Sequence, residues 1–121
     1  MGAGPQERGK KLAMRELTLD GGSWRTKDDL YDAFFAAVGA PSWHGRGLDS
    51  LNDSIATGSI NAVEVPYRIV ISNFDLISGE AAKVATDFVD LILEIAGRGC
   101  PVEIELSDSR GTPMPATHSR P

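Results

Sequence analysis

A β-branched run, an amphipathic helix and an alternating strand follow one another in the second half of this chain, and that succession constrains the fold more than any other feature. Tyr67-Arg68-Ile69-Val70-Ile71-Ser72, opened by Pro66, suits a buried strand. Over residues 79–97, Val84, Phe88, Leu91, Ile92 and Ile95 recur at i, i+4, i+7, i+8 and i+11, which is one face of a helix. Ser78 is the expected N-cap, and Gly97 and Gly99 end the helix. Pro101-Val102-Glu103-Ile104-Glu105-Leu106 then alternates, with Val102, Ile104 and Leu106 inward. Proline is tolerated at the first position of a strand. Strand, helix and strand in that order imply a right-handed crossover between parallel strands.

The first half supplies a strand and two helices. Glu16-Leu17-Thr18-Leu19-Asp20 reads as a short strand broken by Gly21-Gly22. Thr26 is a good N-cap, and Asp29 three positions on resembles a capping box with a shorter carboxylate. Leu30, Tyr31, Phe34, Phe35 and Val38 form a wide apolar face, which Gly39 ends and Pro41 keeps from restarting. A second helix is expected over about 47–57, stopped by Gly58. Residues 59–65 read either as a loop or as an irregular extension of that helix. The expectation is an α/β, two-layer domain over 16–107: a small three-stranded parallel sheet with helices packed mainly on one face. Residues 1–15 are expected to be a disordered N-terminal arm and 108–121 a disordered C-terminal tail, the latter for Pro113, Pro115 and Pro121 among small polar residues.

No run approaches the length of a membrane span, and the N-terminus makes a poor signal peptide. The one cysteine, Cys100, cannot form an internal disulfide and is expected as a small buried hydrophobe. A cytoplasmic location and no membrane partner are therefore expected. Residues 1–15 carry +3 and residues 108–121 carry +1, so the total of −5 leaves −9 on residues 16–107. A middle so acidic repels nucleic acid and favours cationic partners, although acidity also simply aids solubility.

The stretch 41–53, Pro-Ser-Trp-His-Gly-Arg-Gly-Leu-Asp-Ser-Leu-Asn-Asp, holds the candidate chemistry. Leu48, Leu51 and Ile55 form one apolar stripe, so Asp49 and Asp53 point away from it, side by side. They could be an acid/base pair, a metal site, a binding patch or an ordinary solvated face. A metal wants further ligands, and only His44 is near in sequence; acid/base work wants burial, which the helical position argues against. Trp43 and His44 either plug the gap between two helices or stand exposed as interface anchors. Arg46, between two glycines, is a weak candidate cradle for an anion. On the long helix Asp87, Asp90 and Glu94 read as a solvated flank. No phosphate loop, catalytic residue set or cofactor motif is present.

The ordered combination of Pro-x-aromatic-aromatic-Gly, Leu-Asp-x-Leu-x-Asp and the late Gly99-Cys100 resembles the barstar family of intracellular ribonuclease inhibitors. The similarity runs from about Leu17 to Ser107, with a few extra residues somewhere in 58–65. It implies a bacterial inhibitor or immunity protein, not an enzyme, that binds a basic extracellular-type ribonuclease or ribonuclease toxin one-to-one. By the same resemblance the contact residues are Trp43, His44, Gly45, Asp49, Asn52, Asp53 and Glu94. Asp53 would be the lead phosphate mimic, Asp49 and Glu94 further acidic contacts, Trp43 a stacking ring, and Gly45 a point of close backbone approach. Asn52 stands where the family's inhibitor has tryptophan, and Ala56 replaces a hydroxyl-bearing residue. The rival expectations are a barstar-like module regulating another cationic protein, and a small hydrolase built on His44, Asp49 and Asp53.

Overall fold

The computed structural model describes residues 14–117. Most of the expected N-terminal arm, residues 1–13, and the last four residues lie outside the described residues. The elements in chain order are β1 (Arg15–Asp20), α1 (Lys27–Val38), α2 (Leu48–Asn52), β2 (Tyr67–Ser72), α3 (Glu80–Gly97), β3 (Val102–Ser107) and β4 (Pro113–Met114). The expected α/β class is found. Strands β1, β2 and β3 are parallel neighbours in sequence order. Because that order never reverses, right-handed crossovers place the helices on the same side.

Register explains the two faces of the sheet. Leu17, Ile69 and Ile104 lie side by side, as do Leu19, Ile71 and Leu106, and together they form the floor of the core. One residue out of phase, Glu16, Arg68 and Glu103 align on the helix-free face. There the Arg68 guanidinium binds Glu16 at 3.0 Å, Glu103 at 2.9 Å and Glu105 at 3.4 Å. Charges thus cover the face that no helix covers.

The strand count is corrected from three to four. Residues 108–114, expected within a disordered tail, turn back so that β4 pairs antiparallel with β3, Met114 opposite Leu106. The reason is local: the Asp108 carboxylate accepts the N–H groups of Arg110 and Thr112, each at 2.9 Å, and satisfies the turn from inside. Asp75 then holds the turn from across the molecule by accepting the Ser109 N–H at 2.7 Å and its hydroxyl at 2.9 Å.

Helix α1 starts as its sequence implies. Thr26 Oγ1 accepts the Asp29 N–H, and Asp29 Oδ2 accepts the Thr26 and Arg25 N–H groups at 3.0 and 2.8 Å. It ends on Gly39 at φ 65. Helix α3 departs from expectation, because Gly79, not Ser78, is its N-cap and no side chain caps it. Instead the segment before α1 lends its carbonyls: Ser78 donates to Trp24 and Ala81 to Arg25. Glu80 returns the service by accepting the Lys27 N–H at 2.9 Å. Asp90, expected on a solvated flank, is also corrected, being only 4% exposed.

Phe34 of α1 meets Phe88 of α3 edge-on, with ring centroids 5.2 Å apart and both side chains fully buried. Phe88→Ala is expected to cost about 3–5 kcal/mol of unfolding free energy, read from the denaturation midpoint at constant m-value. Asp29 offers a second test. The Arg25 and Thr26 amides hold its carboxyl below the ordinary value of 3.8. A depressed folded pKa adds stability above the unfolded pKa, and that stability is lost as pH falls through the folded value. Asp29→Asn should therefore lower the melting temperature at neutral pH, and the gap to wild type should close as pH drops below about 4.

Candidate functional site

Helix α2 is five residues long, too short to persist alone. Leu51 and Ile55 anchor it in the core, while Leu48, expected on the same stripe, is partly open to solvent. Beyond Asn52 the helical path widens into a π-type turn, Asp53–Thr57. Gly58 closes that turn at φ 83, its N–H donating to the Asp53 carbonyl at 3.3 Å. The helix expected over 47–57 is thus two stretches of different pitch, and the change falls at Asp53. Residues 59–65 form a loop rather than an extension of the helix.

Trp43 and His44 part company. Trp43 is 73% exposed, whereas His44 is 7% exposed, with its ring 4.5 Å from that of Phe35 on α1. The Gly45 carbonyl lies 2.8 Å from His44 Nδ1. A carbonyl only accepts, so Nδ1 carries the hydrogen and Nε2 in the neutral ring is a lone pair. That nitrogen is buried with no hydrogen-bond partner among the described residues. Of the two readings of these rings, His44 takes the plug and Trp43 the exposed one: the Gly45 hydrogen bond turns the His44 ring inward, where it fills the gap between turn and helix, so it is no exposed contact. Gly45 itself is exposed, and a Cβ there would sit 2.6 Å from Ser50 Oγ.

Arg46 is no open anion cradle. Its guanidinium donates to Asp28 at 3.0 Å and Asp32 at 2.6 Å, both on the outer side of α1, and lies 5.4 Å from the Phe35 ring centroid. The hydrogen bond it donates to Asp32 is the main cause raising its pKa. His44 and Arg46 therefore both attach the turn 41–47 to α1 through Phe35. Sequence spacing gave no hint of this, since the pairs are 18 and 14 residues apart.

Asp49 and Asp53 are exposed, and among the described residues neither carboxylate has an ion pair or side-chain hydrogen bond. They open to two different concavities beside α2. Asp49, Asn52 and Glu94 share a groove of about 450 Å³ between α2 and α3 with Leu48, Asp87 and Arg98. Asp87 and Glu94 have cationic partners there: Lys83 binds Asp87 at 2.7 Å, and Arg98 lies 3.8 Å from Glu94. Arg98 also donates to Asn52 Oδ1 at 3.3 Å. Asp53, Trp43, His44 and Gly45 share a pocket of about 170 Å³ with Ser50 and Ile60. Ile60 belongs to the aperiodic stretch 59–65 and carried no signal in the sequence.

Behind α2, the Cys100 Sγ lies 3.9 Å from the Ile55 carbonyl, and burial pushes its thiol pKa up, which keeps it protonated. Among the described residues no three of His, Cys, Asp and Glu are placed to hold a metal ion. No helix among them is long and apolar enough to cross a membrane.

The family model described as Barstar (barnase inhibitor) matches residues 14–108. The chain belongs to the barstar family. A relative in Bacillus subtilis (strain 168), named Putative ribonuclease inhibitor YrdF, is 30% identical over 81 residues, covering 67% of this chain and 85% of that protein. The match spans β1 to β3 and the helices between them, with β4 beyond it, so the acidic α2 and its two concavities are built on a barstar scaffold.

Arg46→Ala tests the attachment of the turn. Amide hydrogen exchange over residues 42–47 should quicken several-fold while α3 keeps its protection. Uniform protection in the variant would show that His44 alone holds the turn.

Proposed function

We propose that this chain inhibits a small basic ribonuclease by presenting α2 and the turn before it as a decoy for the RNA backbone. One observation carries the reading. Among the described residues Asp53 and Asp49 stand exposed and without ion pairs, and the ring that shares the pocket of Asp53, Trp43, is also exposed. A ribonuclease active site is cationic because it must bind phosphate. Fixed carboxylates attract it from a distance, raise the association rate, and then pair with its cations as water leaves. The −9 balance over residues 16–107 extends that attraction over the domain.

In this reading Asp53 takes the phosphate position, and Asp49 and Glu94 make the flanking acidic contacts. Trp43 stacks, and Gly45 lets the partner approach the backbone. Asn52, already bound to Arg98, contributes a polar edge where an apolar anchor is absent. His44 acts from beneath, as a buried support. The complex is one-to-one, and the chain works in the cytoplasm, where it protects its host from the enzyme. The hydrolase alternative needs polar groups that converge. Asp49 and Asp53 open to separate concavities, and the His44 ring has its Nδ1 engaged with Gly45. A module regulating another cationic protein would use the same carboxylates, so only the partner distinguishes it.

The test is inhibition of RNA cleavage by barnase and by a panel of small basic bacterial ribonucleases, with calorimetry for any that is inhibited. Wild type should inhibit at least one, with unit stoichiometry. Asp53→Ala should weaken that complex by at least about 2 kcal/mol, because it leaves an enzyme cation buried and unpaired. Absence of inhibition across the panel, or an unchanged affinity for Asp53→Ala, would overturn the reading.

A further inference from the structure

The loop after the π-type turn is built to hold one side chain at the acidic surface. Its backbone is attached to the end of α1: Ala62 donates to the Gly39 carbonyl at 3.2 Å and Val63 to the Val38 carbonyl at 2.8 Å. Its neck is closed by Glu64, whose Oε2 accepts the Ser59 N–H at 3.0 Å. Ser59 adopts φ 68, a left-handed conformation uncommon outside glycine, so the chain turns sharply just before residue 60. Val63 and Val65 pack against the core, and Asn61 is 8% exposed. Ile60, between these fixed points, lines the pocket that holds Asp53 and Trp43.

An aliphatic side chain, an indole and a carboxylate around one small pocket have a definite complement. Arginine has an apolar stem, a planar head that stacks on aromatic rings, and a fork that meets a carboxylate. The buried edge of the pocket is His44. Among the described residues no Lys or Arg lines the pocket.

We propose that Ile60 is a specificity-determining contact: with Trp43 it walls a subsite around Asp53 that receives one arginine side chain of the partner. The inference rests on the inhibitor reading and extends it to a residue of the inserted loop. Ile60 packs along the arginine stem and supplies apolar contact on the side of α2 opposite the polar Asn52–Arg98 edge. Because the loop is held before binding, little conformational freedom is lost when the complex forms. The arginine head meets Asp53, so Ile60 and Asp53 act on the same group, and their losses on truncation are not additive.

The experiment measures inhibition constants of wild type, Ile60→Ala, Ile60→Lys, Asp53→Ala and the Ile60→Ala/Asp53→Ala double variant, against barnase and every panel ribonuclease that wild type inhibits. Thermal melts are run alongside. Ile60→Ala should weaken inhibition by about tenfold with an unchanged melt. The double variant should lose less than the product of the two single effects. Ile60→Lys keeps the stem but sets a cation against the arginine, so it should lose more than Ile60→Ala. If Ile60→Ala stays within about twofold of wild type while Asp53→Ala is impaired, the subsite is overturned and the inhibitor reading survives. If Asp53→Ala is also unimpaired, or wild type inhibits nothing, both fall together. Should Ile60→Ala melt early, Ile60→Lys with a wild-type melt decides: undiminished inhibition by it overturns the subsite.

Discussion

Two crossovers laid on the same face of an unreversed parallel sheet are the constraint on which everything else depends. They bring α1 and α3 together over Leu17, Ile69 and Ile71, with Phe34 against Phe88 at the centre. The first crossover carries more chain than α1 needs. The surplus, from Pro41 to Val65, sends Leu51 and Ile55 into the core and leaves its acidic side outside. A five-residue helix with one buried stripe and an acidic outer side is the result.

Such a short helix owes its order to its surroundings. Three attachments hold it: Leu51 and Ile55 from below, Arg46 and His44 through Phe35 on one side, and the loop amides of Ala62 and Val63 on the other. Each ties the surface to α1 or the core rather than to itself. Preorganisation of this kind has a physical use. A charged surface that is fixed before encounter loses little entropy on binding and keeps its carboxylates where a cationic site will meet them.

Charge placement follows the same division. The six basic residues of the domain are largely engaged away from Asp49 and Asp53. Arg68 is surrounded by glutamates on the helix-free face, and Arg46 faces Asp28 and Asp32. Lys83 is paired along α3, and Arg98 spans Glu94 and Asn52. Pairing neutralises these cations locally and, among the described residues, leaves the carboxylates of Asp49 and Asp53 without ion pairs. Lys83 and Arg98 are the exceptions: both line the groove shared with Asp49, and neither lines the pocket of Asp53.

Much of this was legible in the residues alone. Period-two and period-3.6 patterns depend only on which side chains share a face, so β2, α3 and β3 could be placed from spacing. The Thr26–Asp29 cap is a contact between near neighbours and is likewise encoded locally. The motif 41–53 revealed its family, and with it the outward carboxylates. Folding in space decided the rest, wherever the decisive contact joins distant segments. Ser78 lost the capping position because carbonyls of Trp24 and Arg25, more than fifty residues away, reached the start of α3 first. Trp43 and His44 are adjacent rings of similar promise, yet Phe35 and the Gly45 carbonyl drew one inward and left the other in solvent. Ile60 sits in a stretch with no period, where local rules name no preferred face. Its position beside Asp53 came from amides bonded to the end of α1, a contact that no window of neighbouring residues contains.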